Sequence, residues 1–189
     1  TYALAYGTGS AMVAEGGEKW FYITADYAFG HSLEQETANV VTKTGGEVVG
    51  NVRHPFPGTD FSSYLLQAQS SGADVIGLAN AGGDTINTVK QATEFGITQG
   101  GQDLAALLIF ITDIHALGLQ TAQGLVLTEP FYWNLNEGTR EWSQRFAAAH
   151  DGDMPSADHA GVYSAVLHYP KAVEATGGKE TEALLEYAD

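Results

Sequence analysis

The sequence contains no cysteine, which removes several kinds of site at once. None of its 189 residues can form a disulfide, bind a metal ion through a thiolate or act as a thiol nucleophile. The usual catalytic signatures are missing too, since there is no HExxH, GxSxG, GxGxxG or GK[ST] sequence. We therefore expect no catalytic residue, no metal site and no cofactor.

Basic residues are scarce. Eight Lys and Arg stand against 23 Asp and Glu, which gives a formal net charge of −15 at pH 7. A field of this sign repels phosphate backbones, so we expect no nucleic-acid partner. The acidic total is ordinary, and we interpret the imbalance as a surface adapted to solubility or to salt.

Long apolar runs are absent as well. The best candidate, Leu104–Ile111, falls far short of the 18 or more apolar residues, roughly, that a spanning helix needs. Hydrophobic residues nevertheless make up 44% of the chain, enough for a sizeable core. The sequence begins at Thr1 without a leader pattern, and we interpret this N-terminus as processed or cut.

Four short apolar segments alternate with helical patterns at roughly thirty-residue spacing. This alternation predicts an α/β fold, in which a parallel sheet is flanked by helices on both faces. We expect Asp60 and Asp84 to be N-caps of two of the helices. The predicted strands are Lys19–Thr24, Glu47–Val52, Ala73–Leu78 and Leu104–Ile111, and the helices between them are Gly30–Lys43 and those that follow Asp60 and Asp84.

Strand and helix patterns do not alternate regularly outside this region. Pro170 should kink the long helix in which it lies or loosen one of its turns. The remaining predicted elements are a helix at Tyr2–Glu15, a strand or extended segment at Gln123–Thr128, an aromatic cluster at Phe131–Trp133, and helices at Glu137–His150, Ala157–Thr176 and Glu180–Tyr187.

Ligands of open parallel sheets bind beyond the carboxyl ends of the strands, and this rule selects three turns. After the first strand, Tyr27 and Phe29 either form a stacking wall for a flat or apolar ligand or cover the core beneath the helix. After the third strand, Ala79–Asp84 offers backbone N–H groups to an anion, or is a tight turn capped by Asp84. After the fourth, Asp113 and His115 either meet a ligand ammonium and a hydrogen-bond acceptor, or Asp113 is the N-cap of the short Ile114–Leu119 turn.

The remaining ionisable clusters are weak candidates. The spacing of four histidines suits no single metal ion, and we expect them at the surface. Asp151 and Asp153 resemble the start of a calcium loop, but no ligand follows at the distance that would complete it. The four histidines are His54, His150, His159 and His168.

Several segments, taken in order, resemble the leucine/isoleucine/valine-binding family of type I periplasmic binding proteins, which serve ABC transporters. They are TADYAFG at 24–30, DFSS at 60–63, GADVIGLANAGGD at 72–84 and QGLVLT at 123–128. The resemblance runs from about Tyr2 to about Gly177 and implies one lobe, the second, of a two-lobed fold. It implies that residues 1–16 are a helix of the lobe-crossing region, 17–135 the main ligand-binding lobe, and 136–189 a helical segment that packs on this lobe and leads back to the first.

The resemblance also implies a function. We expect an extracytoplasmic, periplasmic and monomeric protein that captures a small ligand between its lobes and delivers it to a membrane permease, without catalysis. Such ligands include branched-chain or aromatic amino acids, aromatic acids and amides. Two alternatives stay open: a ligand-sensing receptor or amide-responsive regulator with the same fold, and an enzyme of the α/β hydrolase or nucleotide-using type.

The family's site residues transfer to a few positions. Phe29 matches the aromatic residue before the first-strand glycine, with Tyr27 two positions earlier. Asn80 and Ala81 fall where amino-acid binders often carry an aromatic residue, so Ala81 implies a roomier pocket and favours a larger, aromatic ligand. Asp113 falls near the acidic residue that receives the ammonium, and we place His115 beside it as a further polar contact.

Overall fold

The computed structural model describes residues 2–188, without the side chains of 183–185 and 188. The chain divides into two compact units, Thr1–Pro130 and Phe131–Asp189. The strands are β1 (Lys19–Ala25), β2 (Glu47–His54), β3 (Val75–Ala79) and β4 (Asp103–Ala106). The helices of the first unit are α1 (Tyr2–Ala14), α2 (Ala28–Thr44), α3 (Ser62–Gln69), α4 (Gly83–Glu94) and α5 (Ile111–Leu117), and those of the second are α6 (Glu137–Ala149), α7 (Ala157–Thr176) and α8 (Thr181–Ala188).

The four strands form one parallel sheet in the order β2-β1-β3-β4. Ile23 of β1 lies opposite Val52 on one side and Leu78 on the other. The chain first leaves β1 toward β2 and then returns to β3 on the other side of β1. This reversal places a topological switch point between β1 and β3. The predicted fold class, a parallel sheet with helices on both faces, is confirmed.

Alternation along β1 divides the core into two clusters. Trp20 and Tyr22 face α1 and α2, whereas Phe21 and Ile23 face the side covered by α3, α4 and α5. All four are buried because both faces of the sheet are covered. Each large apolar side chain removed from water in this way contributes about 1.5–3 kcal/mol to folding.

The fourth strand is shorter than predicted, because it ends at Ala106 and α5 begins at Ile111. Leu107 and Ile109 are still buried, one in each core cluster. Burial alone explains the apolar run, while strand pairing stops where the neighbouring strand β3 ends. The apolar run therefore predicted burial correctly but not strand length.

The segment predicted as strand or extended at Gln123–Thr128 makes one isolated parallel bridge between Val126 and Ala105. The Ala106 N–H donates to Val126 O at 2.9 Å, and the Val126 N–H donates to Leu104 O at 3.1 Å. The extended alternative is thus the correct one.

The predicted N-cap at Asp60 is displaced by one residue. The N-cap position of α3 is Phe61, and Asp60 Oδ1 accepts instead from the Ser62 N–H at 3.0 Å. This hydrogen bond holds the pKa of the Asp60 carboxyl below its usual value.

The second unit is helical, as predicted, and contacts between aromatic side chains join two of its helices. The Trp142 ring of α6 lies 5.4 Å from that of Phe131, 5.7 Å from Phe146 and 5.2 Å from Tyr163 of α7. No described helix is long and apolar enough to cross a membrane.

One side of α7 carries apolar side chains that are exposed in the described part of the chain. Val162 and Val166 are 65% and 68% exposed, and Tyr163 and Leu167 are exposed beside them. With α6 they form a groove of about 710 Å³, which we call the α6–α7 groove. Its lining residues are Trp142, Arg145, Phe146, Asp158, His159, Val162, Tyr163, Val166, Leu167 and Pro170.

Candidate functional site

Three aromatic rings gather at the carboxyl edge of the sheet. Tyr27 follows β1, and its ring centroid lies 5.9 Å from that of Phe29 in α2. Phe56 follows β2 and stacks on Tyr27, with centroids 4.6 Å apart and 22° between the ring planes. Tyr27 and Phe29 are half-buried, and Phe56 is 55% exposed.

A close approach of backbones holds this group in place. Tyr27 occupies the N-cap position of α2 in an extended conformation. At Gly30, in the first turn of α2, a Cβ atom would overlap the carbonyl oxygen of Ala25 and lie 3.1 Å from that of Ala79. Only glycine lets the helix start this close to the ends of β1 and β3. The aromatic group therefore sits beside the switch point.

Phe29 has two roles in the structure. It packs against the core cluster of Trp20 and Tyr22, and it also touches Tyr27. The two interpretations of this turn, ligand wall and core cover, are thus both compatible with Phe29. Tyr27 makes its ring contacts with Phe29 and Phe56 at the sheet edge.

Sequence reasoning missed Phe56. It lies between Pro55 and Pro57 in the turn after β2, at the same end of the sheet as Tyr27. Phe56 could have been found by searching each turn that follows a predicted strand for aromatic residues, because ligands bind at the carboxyl ends of the strands.

Asn80 lies in a buried polar cluster rather than in the open. Its side chain is fully buried, its Oδ1 accepts from Thr85 Oγ1 at 2.8 Å, and its Nδ2 donates to Thr88 Oγ1 at 3.2 Å. The same Nδ2 lies 3.4 Å from His54 Nε2. These contacts use the hydrogen-bonding capacity of the amide within the protein. Its neighbour Ala81 is half-buried.

His54 belongs to this cluster and is 1% exposed, so the prediction of a surface histidine is wrong for it. It ends β2 and packs edge-on against Phe61, with ring centroids 4.8 Å apart. Its Nδ1 lies 3.0 Å from Pro55 O and can only donate to that carbonyl, which leaves Nε2 as the acceptor for Asn80. Packing between β2 and α3, invisible in local sequence, buries this ring.

Asp84 is buried as well and does not cap α4 as predicted. The N-cap position is Gly82, and Asp84 lies in the first turn with both carboxylate oxygens accepting from the Gly58 N–H, at 3.1 and 3.2 Å. Its carboxylate already supplies the negative charge that a helix N-terminus favours. This geometry weakens the hypothesis of an anion site in the 79–84 turn.

Asp113 and His115 lie in α5. Asp113 is the third residue of this helix, not the N-cap, and its Oδ2 accepts from the Phe110 N–H at 2.9 Å. The Ile111 N–H donates to Glu129 Oε1 at 2.9 Å, a partner that sequence reasoning did not find. Asp113 is half-buried and His115 is exposed. Within residues 2–188, no hydrogen bond or ring contact joins either of them to the aromatic group.

Metal ligands do not converge. Among the described side chains, no three His, Asp or Glu lie in an arrangement that could hold a metal ion. His150 and His159 approach each other at 5.9 Å between ring centroids, but both pack on Phe146.

Comparison with known proteins extends over nearly the whole chain. The family model described as periplasmic binding protein matches residues 1–188. A Leu/Ile/Val-binding protein homolog 6 of Brucella melitensis is 29% identical over 177 residues, which is 89% of this chain and 44% of the relative.

Solved structures give the same result. A periplasmic binding protein from Burkholderia mallei is 56% identical with a TM-score of 0.92, over 98% of this chain and 49% of that one. A branched-chain amino acid ABC transporter periplasmic ligand-binding protein from Burkholderia xenovorans is 39% identical with a TM-score of 0.84, over 98% of this chain and 50% of that one.

The chain spans about half the length of these relatives, or roughly one lobe. The relatives are solute-binding proteins rather than enzymes. With the parallel sheet and the segments at its carboxyl edge, these matches show that the chain belongs to the periplasmic binding protein family.

Proposed function

We propose that the protein containing these residues is the extracytoplasmic solute-binding component of an ABC importer. It captures a small ligand between this lobe and a second one, and the closed form is what the membrane permease recognises. The observation that carries the proposal is the aromatic group of Tyr27 and Phe29 at the switch point of the sheet, in a chain of this family.

The residues at this edge favour a flat, largely apolar ligand. Half-buried rings of Tyr27 and Phe29 give a wall on which an aromatic ring or a branched aliphatic chain packs. Ala81 adds little bulk after β3, which leaves space for an aromatic ligand. Our preferred class is therefore an aromatic or branched-chain amino acid, acid or amide. Asn80 serves in this proposal to hold the edge rigid, because its amide is satisfied within the protein.

Asp113 is the proposed partner of a ligand ammonium. Its carboxylate is half-buried and makes one hydrogen bond among the described residues, to the Phe110 N–H, so acceptor capacity remains for a cation. His115, exposed in the same helix, is a second polar contact in this proposal.

The α6–α7 groove favours the hypothesis that this chain is part of a larger protein. Contiguous apolar side chains as exposed as Val162 and Val166 normally mark a surface that another element covers. The relatives are about twice as long, and we assign the groove to the half of a family-length chain that lies outside these residues. In the same proposal, residues 136–189 form the helical segment that packs on this lobe and leads back to the first lobe.

The first experiment is a thermal-shift screen of the longest reading frame that contains this segment. A ligand held by the folded state raises the melting temperature as expected from RT ln(1 + [L]/Kd). The panel comprises aliphatic and aromatic amino acids, aromatic acids and amides. A cooperative melt with no shift for any class would contradict solute capture.

Tyr27→Ala in that protein tests the wall. We expect at least about a tenfold weaker Kd for the ligand found, because the stacking surface is lost, with little change in melting temperature. Tyr132→Ala is the control, since Tyr132 is exposed in the second unit. Equal affinity of the two variants would exclude Tyr27 from the site.

Asp113→Asn tests the interaction with a ligand ammonium independently of the other ligand contacts. The change keeps an oxygen for the Phe110 N–H but removes the charge. Amino-acid ligands should lose about tenfold or more in affinity while plain carboxylates of the same shape lose little. Equal losses for both ligand types would count against this role.

A further inference from the structure

The loop between β2 and α3 is fastened to α4 at several points. The Gly58 N–H donates to the Asp84 carboxylate, the Phe61 N–H donates to Gln91 Oε1 at 2.7 Å, and Gln91 Nε2 donates to Thr59 O at 2.9 Å. These hydrogen bonds hold the loop backbone at Gly58, Thr59 and Phe61 against α4.

The buried cluster beneath the loop fixes its first half. His54 Nδ1 donates to Pro55 O and lies 3.7 Å from Asp84 Oδ2. At Gly58 a Cβ would lie 2.9 Å from the Phe61 ring and 3.2 Å from His54 Nδ1, so the backbone rests directly on these two rings. His54 thus contacts Pro55, directly before Phe56, and Asp84 contacts Gly58, two residues after it.

Phe56 is the exposed end of this arrangement. The Phe56 ring is 55% exposed, so its burial contributes little to stability, yet it stacks on Tyr27 with ring centroids 4.6 Å apart. Buried hydrogen-bonded groups of this kind fix a geometry more than they add stability.

We propose that Phe56 is a third wall of the ligand site and that Asp84 and His54 are positioning residues that hold its ring against Tyr27. The ligand class is the flat, apolar one proposed above, on which this inference rests. Phe56 sets specificity because it extends the stacking surface from the edge of β1 to the edge of β2.

Affinity measurements on the family-length protein test the wall. Phe56→Ala should weaken binding of the ligand found in the screen by about tenfold. Asp84→Ala should weaken it similarly, and Asp84→Asn, which keeps an acceptor for the Gly58 N–H, should recover part of the loss. Asp74→Ala is the matched control, because Asp74 Oδ2 accepts from the Lys19 N–H at the opposite edge of the sheet.

A double-mutant cycle distinguishes positioning from general destabilisation. If Asp84 acts through Phe56, adding Asp84→Ala to Phe56→Ala causes no further loss of affinity. Additive losses overturn the positioning role, and unchanged affinity in Phe56→Ala overturns the wall.

A ligand-free readout keeps the two proposals separable. With 4-fluorophenylalanine at position 56, the ¹⁹F resonance should move in Asp84→Ala toward its position in Tyr27→Ala, where the stack is absent. An unmoved resonance overturns the positioning role whether or not a ligand is known. If the unmodified protein binds nothing in the screen, the proposed function and the third wall fall, while the resonance still decides whether Asp84 orients Phe56.

Discussion

At the residue scale, Gly30 connects the sheet to the site. It lies at the first turn of α2, where the backbone approaches the carbonyl groups of Ala25 and Ala79 too closely for any side chain. This approach places Tyr27 and Phe29 at the sheet edge. The glycine is needed for contact distance, because its backbone does not adopt the left-handed conformation.

Gly30→Ala should therefore destabilise the fold by about 1–3 kcal/mol or more, since the added methyl overlaps backbone atoms that cannot rotate away. Urea denaturation of the family-length protein measures this. Gly83→Ala is the control, because a Cβ at Gly83, in the first turn of α4, meets no atom of the described residues within 4 Å. Equal stability of the two variants would refute the close approach at Gly30.

Tyr22 is a second residue whose environment has a measurable consequence. Burial raises the pKa of its hydroxyl well above the usual value, and the nearby Glu34 carboxylate raises it further. Glu34 is held between Thr24 Oγ1 at 2.6 Å and Asn51 Nδ2 at 2.7 Å. The Tyr22 hydroxyl has no hydrogen-bond partner among the described residues.

The unfolded chain therefore releases the Tyr22 proton first as pH rises. The free energy of unfolding does not depend on this group below about pH 10. Above that pH it declines by about 1.4 kcal/mol per pH unit because of the Tyr22 hydroxyl. Tyr22→Phe should remove that part of the alkaline loss and leave stability at pH 7 unchanged or slightly higher. Chemical denaturation at pH 7 and pH 11 measures both, with Tyr132→Phe as an exposed control. A slope unaltered by Tyr22→Phe would contradict the raised pKa.

At the scale of elements, one side chain joins β3, β2 and α4. Asn80 follows β3 and contacts His54 at the end of β2 and Thr85 and Thr88 in α4. Because three elements meet at one buried amide, the carboxyl edge of the sheet is rigid where the site is proposed.

Asn80→Ala should lower the free energy of unfolding by about 1–3 kcal/mol, because it leaves buried hydroxyl and imidazole groups without their partner. Asn39→Ala is the comparison, since Asn39 is exposed on α2 and contacts only Gln35 in the described hydrogen bonds. A loss of ligand affinity without a loss of stability would instead indicate that the Asn80 amide reaches the ligand.

At the scale of the whole molecule, the α6–α7 groove is the surface that we propose to be covered in a family-length protein. Val166→Asp should lower the melting temperature of the longer protein by several degrees, because a carboxylate is then buried against the proposed other half. Ala148→Asp on the exposed side of α6 should have little effect. If Val166→Asp leaves the melting temperature unchanged but splits a dimer in size-exclusion chromatography, the groove is an interface between copies.

The sequence by itself determined the alternation of four strands with the helices between them, the parallel sheet, and the positions of Tyr27, Phe29 and Asn80 directly after strands. Periodicity and Gly or Pro breaks act locally, so strands such as β1 and helices such as α7 could be predicted within one or two residues. The family resemblance followed from the same local segments.

Only the tertiary structure decided which polar residues are buried and which rings meet. His54, Asp84 and Asn80 come from different elements and form one cluster, and Phe56 reaches Tyr27 although 29 positions separate them in the sequence. The end of β4 was decided by the length of its neighbour β3. These outcomes depend on packing between distant segments, and packing has no period that a local pattern can reveal.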